Sequence, residues 1–162
     1  MALGNNLKKD KLIPDPESTN QPDSIMQPEN QNNLELKAKF DAINRTTAII
    51  EFDTKGNILA ANDNFLQTLK YELEEIVGKH HSMFCEESYV KSEEYKILWK
   101  KLANGSPEIG RFKRLTKTGD IVWIQGAYNP IFDEKGKPYK IMKVVQDITE
   151  QKLLEMQVQE QL

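Results

Sequence analysis

The chain has 162 residues, of which 38% are hydrophobic and 29% charged, with a net charge of -3 and one cysteine. This length suits about one domain, the charge excludes the basic footprint of a nucleic-acid binder, and one cysteine excludes an internal disulfide and points to a reducing, cytoplasmic compartment. The opening MALGNNLKKDKLIP lacks the apolar stretch of a signal peptide, and no run reaches the roughly 20 apolar residues of a membrane span.

Residues 1–33 are rich in Asn, Gln, Asp and Ser, carry Pro14, Pro16, Pro22 and Pro28, and hold no aromatic residue. Such a segment cannot offset its ordering entropy, so a disordered tail over 1–33 is expected, with the folded unit starting at 34. Leu36, Phe40 and Ile43 then fall on one helical stripe, with Asn33 as its expected cap. TAIIEFD reads as a strand, DTKGN as a turn and NILAA as the returning strand. NDNFLQTLKY is a helix capped by Asn62 or Asp63, and ELEEIVG is a short helical turn stopped by Gly78. Ser92 opens a longer helix, SEEYKILWKKLANG.

The last third is β. EIGRFKRLT is a strand with poor alternation, IVWIQGAYNPIFD is a long strand with Pro130 at a margin or bulge, and YKIMKVVQD closes the sheet. ITEQKLLEMQVQEQL is helical, with Leu154, Val158 and Leu162 four apart, and its pattern runs to Leu162 with no Gly or Pro to end it. That suggests the front of a longer protein. One antiparallel sheet covered on one face by short helices, an α+β fold, fits this order.

Both histidines and the cysteine lie in GKHHSMFC, residues 78–85. His80 and His81 are adjacent, so they diverge on a helix or a strand and do not chelate one ion, and Cys85 leaves a zinc set two ligands short. No metal site is expected. Trp99 and Trp123 read first as core, Asn62 and Asn64 as caps, and Cys85 as a small buried residue. There is no phosphate-binding Gly loop and no nucleophile with a base, so no catalytic residue is assigned.

Five stretches in order resemble a PAS domain, and most of all those of bacterial methyl-accepting chemotaxis transducers: AIIEFDTKGNILAANDNFL, KYELEEIVGKHHSMF, EYKILWKKLANG, FKRLTKTGDIVWIQGAYNPIFDEKGKP and KVVQDIT. Lys70 departs from the family, which often has Gly before the aromatic. The resemblance implies a PAS-like five-stranded antiparallel sheet with short helices on one face, a sensor domain over 34–147 and a linker or signalling helix over 148–162. It implies a sensory, non-enzymatic module that detects a small ligand, redox state or oxygen, with Asp147, Ile148 and Thr149 as the signal exit.

Its pocket would draw on His80, His81, Phe84, Trp99, Trp123, Asn62 and Met142. Haem or FAD are both open as cofactors, and so is none. In the light-sensing branch of the family a flavin-reactive cysteine stands where His81 stands here, which argues against a photochemical adduct. A homodimer is expected, with a downstream output domain or chemotaxis signalling proteins as partners. Input to a diguanylate cyclase or histidine kinase, or a ligand-free dimerisation module, are the alternatives.

Overall fold

The structure is a computed structural model and describes residues 27–162. Five antiparallel strands form one sheet in the order β2-β1-β5-β4-β3. They are β1 (Ala48–Phe52), β2 (Ile58–Ala61), β3 (Glu108–Leu115), β4 (Ile121–Phe132) and β5 (Pro138–Asp147). The helices are α1 (Pro28–Thr46), α2 (Asp63–Leu69), α3 (Leu73–Ile76), α4 (Glu87–Val90), α5 (Glu93–Ala103) and α6 (Thr149–Glu160), with a 3-10 turn at His81–Phe84. This is the expected α+β architecture. The 3-10 turn and α4 are additions, single turns too short to show a helical period in the sequence.

The inward residues of the strands alternate as a half-buried sheet requires. Ile50 and Phe52 on β1, Val122, Ile124 and Tyr128 on β4, and Ile141, Lys143 and Val145 on β5 are all buried. Phe65, Leu69, Ile76, Phe84, Tyr95, Leu98 and Leu102 close over them from the helical side. Pro130 lies where β4 pairs β5 only, beyond the last β3 partner at Tyr128, so its missing N–H breaks no inter-strand bond. Gly126 has no room for a side chain against β5, since a Cβ there would lie 2.0 Å from the Val144 carbonyl oxygen.

Two expectations about the N-terminus are corrected. α1 begins at Pro28, with Gln27 as its cap and proline at the first helical position, so Asn33 lies inside the helix and does not cap it. Residues 28–33, assigned to a disordered tail, are helical, because a proline followed by Glu29 opens a helix as readily as it breaks one. The tail expectation for residues 1–26 lies outside the described residues. The stripe Leu36, Phe40 and Ile43 is exposed. α1 is anchored at its end, where Asn62 Nδ2 donates to Asn44 Oδ1 at 2.9 Å and to the Thr47 carbonyl at 2.8 Å.

Lys70, the departure from the family pattern, ends α2 at φ 63 and ψ 38. It is the one non-glycine residue with positive φ among those described. The left-handed conformation explains why glycine suits this position.

Among the described residues no helix is long and apolar enough to cross a membrane.

Candidate functional site

The 3-10 turn carries His81 into the space between the sheet and α5, where it is fully buried. Its Nδ1 lies 2.9 Å from the Tyr95 hydroxyl of α5, and its Nε2 lies 2.8 Å from the Tyr128 hydroxyl of β4. Arg114 on β3 donates from Nη2 to that same Tyr128 oxygen at 2.8 Å, and from Nη1 to the Lys113 carbonyl at 2.7 Å. The phenols of Tyr95 and Tyr128 are both held above the ordinary tyrosine range, burial being the largest cause.

The guanidinium can only donate, so the Tyr128 oxygen accepts from Arg114. Which ring nitrogen of a neutral His81 donates is set by its tautomer, and in either tautomer one nitrogen donates to a phenol oxygen and the other accepts from a phenol O–H. Burial, and next the charges of Lys143 and Arg114, hold His81 well below the usual histidine range, which agrees with the neutral form. Cys85 is also buried, its Sγ 3.7 Å from His81 Nδ1, and burial pushes its thiol up, so it is not a poised thiolate.

Lys143 is the second buried cation site. Its Nζ stands 4.4 Å from the centre of the Tyr128 ring and 5.5 Å from that of Phe112. Burial, and next the Arg114 charge, push its proton affinity well below the ordinary lysine range. Among the described residues the buried polar ones are His81, Arg114, Thr116 and Lys143, so no carboxylate among them offsets the guanidinium inside. Among the described residues two buried side-chain nitrogens have no hydrogen-bond partner, Arg114 Nε and Trp99 Nε1.

The expected pocket residues separate into three groups. His81, Phe84 and Trp99 meet in the interior: His81 lies 5.3 Å from Trp99 and 6.3 Å from Phe84 between ring centroids. His80 and Asn62 are structural. His80 caps the 3-10 turn, its Nδ1 accepting from the Ser82 amide at 3.0 Å, while its Nε2 lies 2.8 Å from the Lys55 carbonyl. Asn62 caps α2, its Oδ1 accepting from the Phe65 amide at 3.0 Å. Asn64 bonds the carbonyls of Asn44, Arg45 and Thr47 and so closes the end of α1.

Trp123 and Met142 do not belong to the pocket. They occupy odd and even register positions on β4 and β5 that alternate with the inward Val122 and Ile124, and Ile141 and Lys143, so both project from the opposite face. Trp123 instead packs under α6, with Lys152 Nζ 4.8 Å from its ring centre.

The interior does not fit a histidine-bound haem. Iron ligation needs a free imidazole nitrogen, and both nitrogens of His81 are engaged, while those of His80 are engaged outside the interior. A flavin fits no better, because Phe52, His81, Trp99 and Tyr128 fill the space in edge-to-face contact.

The sequence reading missed Tyr95, Tyr128, Arg114 and Lys143. A signal was present in the poor alternation of EIGRFKRLT, which places Arg114 on an inward position, and in Lys143 standing between Ile141 and Val145 at core register.

The exit from the sheet is bonded in series. The Asp147 carboxylate accepts from the Thr149 amide at 2.9 Å and from its hydroxyl at 2.5 Å. Thr149 Oγ1 in turn accepts from the Trp123 amide at 3.0 Å, and the Ile148 amide donates to the Trp123 carbonyl at 2.8 Å. Farther along α6, Glu155 pairs with Arg111 of β3 at 3.0 Å.

A family model described as the PAS fold matches residues 58–145. The chain is 42% identical over 116 residues to the biofilm dispersion protein BdlA of Pseudomonas aeruginosa, covering 72% of this chain and 28% of that protein. It is 32% identical over 89 residues to the aerotaxis receptor of Escherichia coli, covering 55% of this chain and 17% of the receptor. The matches thus span less than a third of either relative. Among solved structures, the PAS domain of a Colwellia psychrerythraea protein superposes with a TM-score of 0.62 at 23% identity, covering 72% of this chain and 98% of that one. An RNA-binding light-oxygen-voltage receptor gives 0.64 at 17% identity, covering 85% and 38%. At these identities the structures speak to the fold alone.

Proposed function

The chain belongs to the PAS fold family, and we propose that it is the sensory module of a bacterial signal-transduction protein of the chemotaxis-transducer kind. Its relatives, a biofilm dispersion protein and an aerotaxis receptor, support that setting. The module senses through the buried His81 cluster and passes its state to α6. It does so without catalysis, as a cytoplasmic unit.

One observation carries this reading: the same two strands hold both ends of the path. Tyr128 pairs with Lys143 across β4 and β5, and Ile124 pairs with Asp147 farther along the same ladder. A change in the cluster therefore acts on strands whose ends are bonded to the start of α6, and release of that helix would be the output.

The apolar positions of α6 support pairing with a second copy. Leu154 and Val158 are exposed and line a groove of about 880 Å³ beside Asp147 and Ile148. A helix of this length needs packing for stability.

The reading is tested by a spin label at Gln157→Cys in a Cys85→Ser background. Label mobility should change when Tyr128→Phe disturbs the cluster. Identical spectra would remove the proposed path. Sedimentation of Leu154→Asp, Val158→Asp should show a lighter species than the unsubstituted chain. An identical monomeric mass for both would remove the dimer.

A further inference from the structure

We propose that the cleft beside Arg114, between the β3 edge and α4–α5, binds a small organic acid, with the carboxylate at the Arg114 guanidinium and an apolar body lying along α5. This rests on the sensory reading and gives its ligand class.

The cleft has a volume of about 260 Å³ and is lined by Glu86, Tyr89, Glu94, Phe112 and Arg114, among others. Arg114 is 3% exposed and its Nε has no hydrogen-bond partner. The guanidinium centre lies 5.4 Å from the Tyr89 ring centre and 5.3 Å from that of Phe112, so aromatic faces wall the charge without neutralising it. A buried cation with a free donor and no buried carboxylate costs stability unless an anion reaches it. A carboxylate is the planar partner that a guanidinium edge recognises best.

The other two cations of the rim have partners of their own. Lys113 pairs with Glu86 at 2.6 Å, and Arg111 with Glu155 at 3.0 Å. Glu94 is exposed at the mouth and would repel an incoming anion.

A second cavity, of about 290 Å³, shares Tyr89, Glu94, Arg111 and Phe112 with the first and adds the apolar Ile97, Leu98 and Ile109 together with Lys101, Glu108 and Gly110. Ile97 and Ile109 are exposed. An acid with a short hydrocarbon body would cover them, whereas inorganic phosphate would not. Arg111 borders both cavities and is also the residue that holds Glu155 of α6, which places the ligand next to an anchor of the exit helix.

The test is calorimetric titration of the whole chain with hexanoate, hexanamide and inorganic phosphate. Hexanoate should bind saturably, with hexanamide and phosphate at least about tenfold weaker, the size of one charge-assisted contact. Arg114→Lys should weaken hexanoate about tenfold. Glu94→Gln, which touches none of the buried bonds, should tighten it several-fold and keeps the test valid if the Arg114 variant misfolds. No hexanoate binding, equal binding of hexanamide or phosphate, or no response to either substitution would overturn the inference.

The spin label on α6 separates this inference from the sensory reading. If Tyr128→Phe moves the helix but hexanoate does not bind, the ligand class falls and the sensory reading stands. If hexanoate binds as described and the helix responds to nothing, the site stands and the sensory reading falls.

Discussion

His81 Nε2 lies 2.8 Å from the phenol oxygen of Tyr128, and that one oxygen also takes the Arg114 guanidinium at 2.8 Å. The phenol is thus the hinge of the buried cluster. Its removal leaves His81 Nε2 and Arg114 Nη2 without these partners in a buried setting.

Tyr128→Phe keeps the ring and deletes only the hydroxyl. It should cost about 1–3 kcal/mol, the penalty for stranding buried polar partners. Urea unfolding should show a lower midpoint with an unchanged slope. An unchanged midpoint would mean the bonds contribute nothing.

The histidine sets an acid limit. The folded state holds His81 well below 6.5 while the unfolded chain protonates there, so unfolding takes up a proton as pH falls through 6.5. Stability should decline between about pH 6.5 and 5, above the range where the carboxylates contribute. His81→Gln should flatten that decline. An equal slope in both proteins, measured by urea midpoint against pH, would contradict the neutral, buried imidazole.

Lys143 gives the alkaline counterpart. Its folded proton affinity is depressed, so the unfolded chain binds the extra proton and stability should rise with pH below 10.5. The rise should be visible from about pH 7 to 8, below the range where the unfolded chain's Cys85 thiol and tyrosines ionise and act in the opposite sense. Lys143→Met fills similar space without the charge and should raise stability at pH 7 by about 1–3 kcal/mol while removing that slope. Destabilisation by the methionine would show that the ammonium is compensated.

Lys70 stores strain in its left-handed backbone, φ 63. Lys70→Gly relieves about 1 kcal/mol of conformational cost, against a few tenths from losing the exposed pair with Asp120. A net rise in melting temperature of a few degrees is expected. A fall would show that the ion pair outweighs the strain.

The fold was legible because the strands obey period two and the helices carry caps. Ser92 accepts from the Tyr95 amide as its place before two glutamates implied, and Asn62 caps α2 likewise. The interior was only half legible. His81 and Phe84 stood out by residue type, but the partners of His81 come from 14 and 47 residues away, contacts that no local pattern encodes. Arg114 and Lys143 did not stand out because charge usually is exposed, and only their inward register marks them as buried. Trp123 misled for the opposite reason: a large aromatic in a strand reads as core, whereas here α6 supplies its cover from the other face. The start of α1 was misplaced because residues 29–33 are all polar and show no helical stripe, so Pro28, which stands at the first helical position, was counted with the tail.

The central claim is that the buried cluster and the start of α6 are mechanically one unit. Amide hydrogen exchange at Trp123 and Ile148 tests it most directly, since those amides bond Thr149 Oγ1 and the Trp123 carbonyl. The account predicts that Tyr128→Phe speeds exchange at both by more than it speeds exchange at the remote β2 amide of Ile58, which bonds the Lys79 carbonyl. Equal acceleration at all three sites, as global destabilisation alone would give, would contradict it.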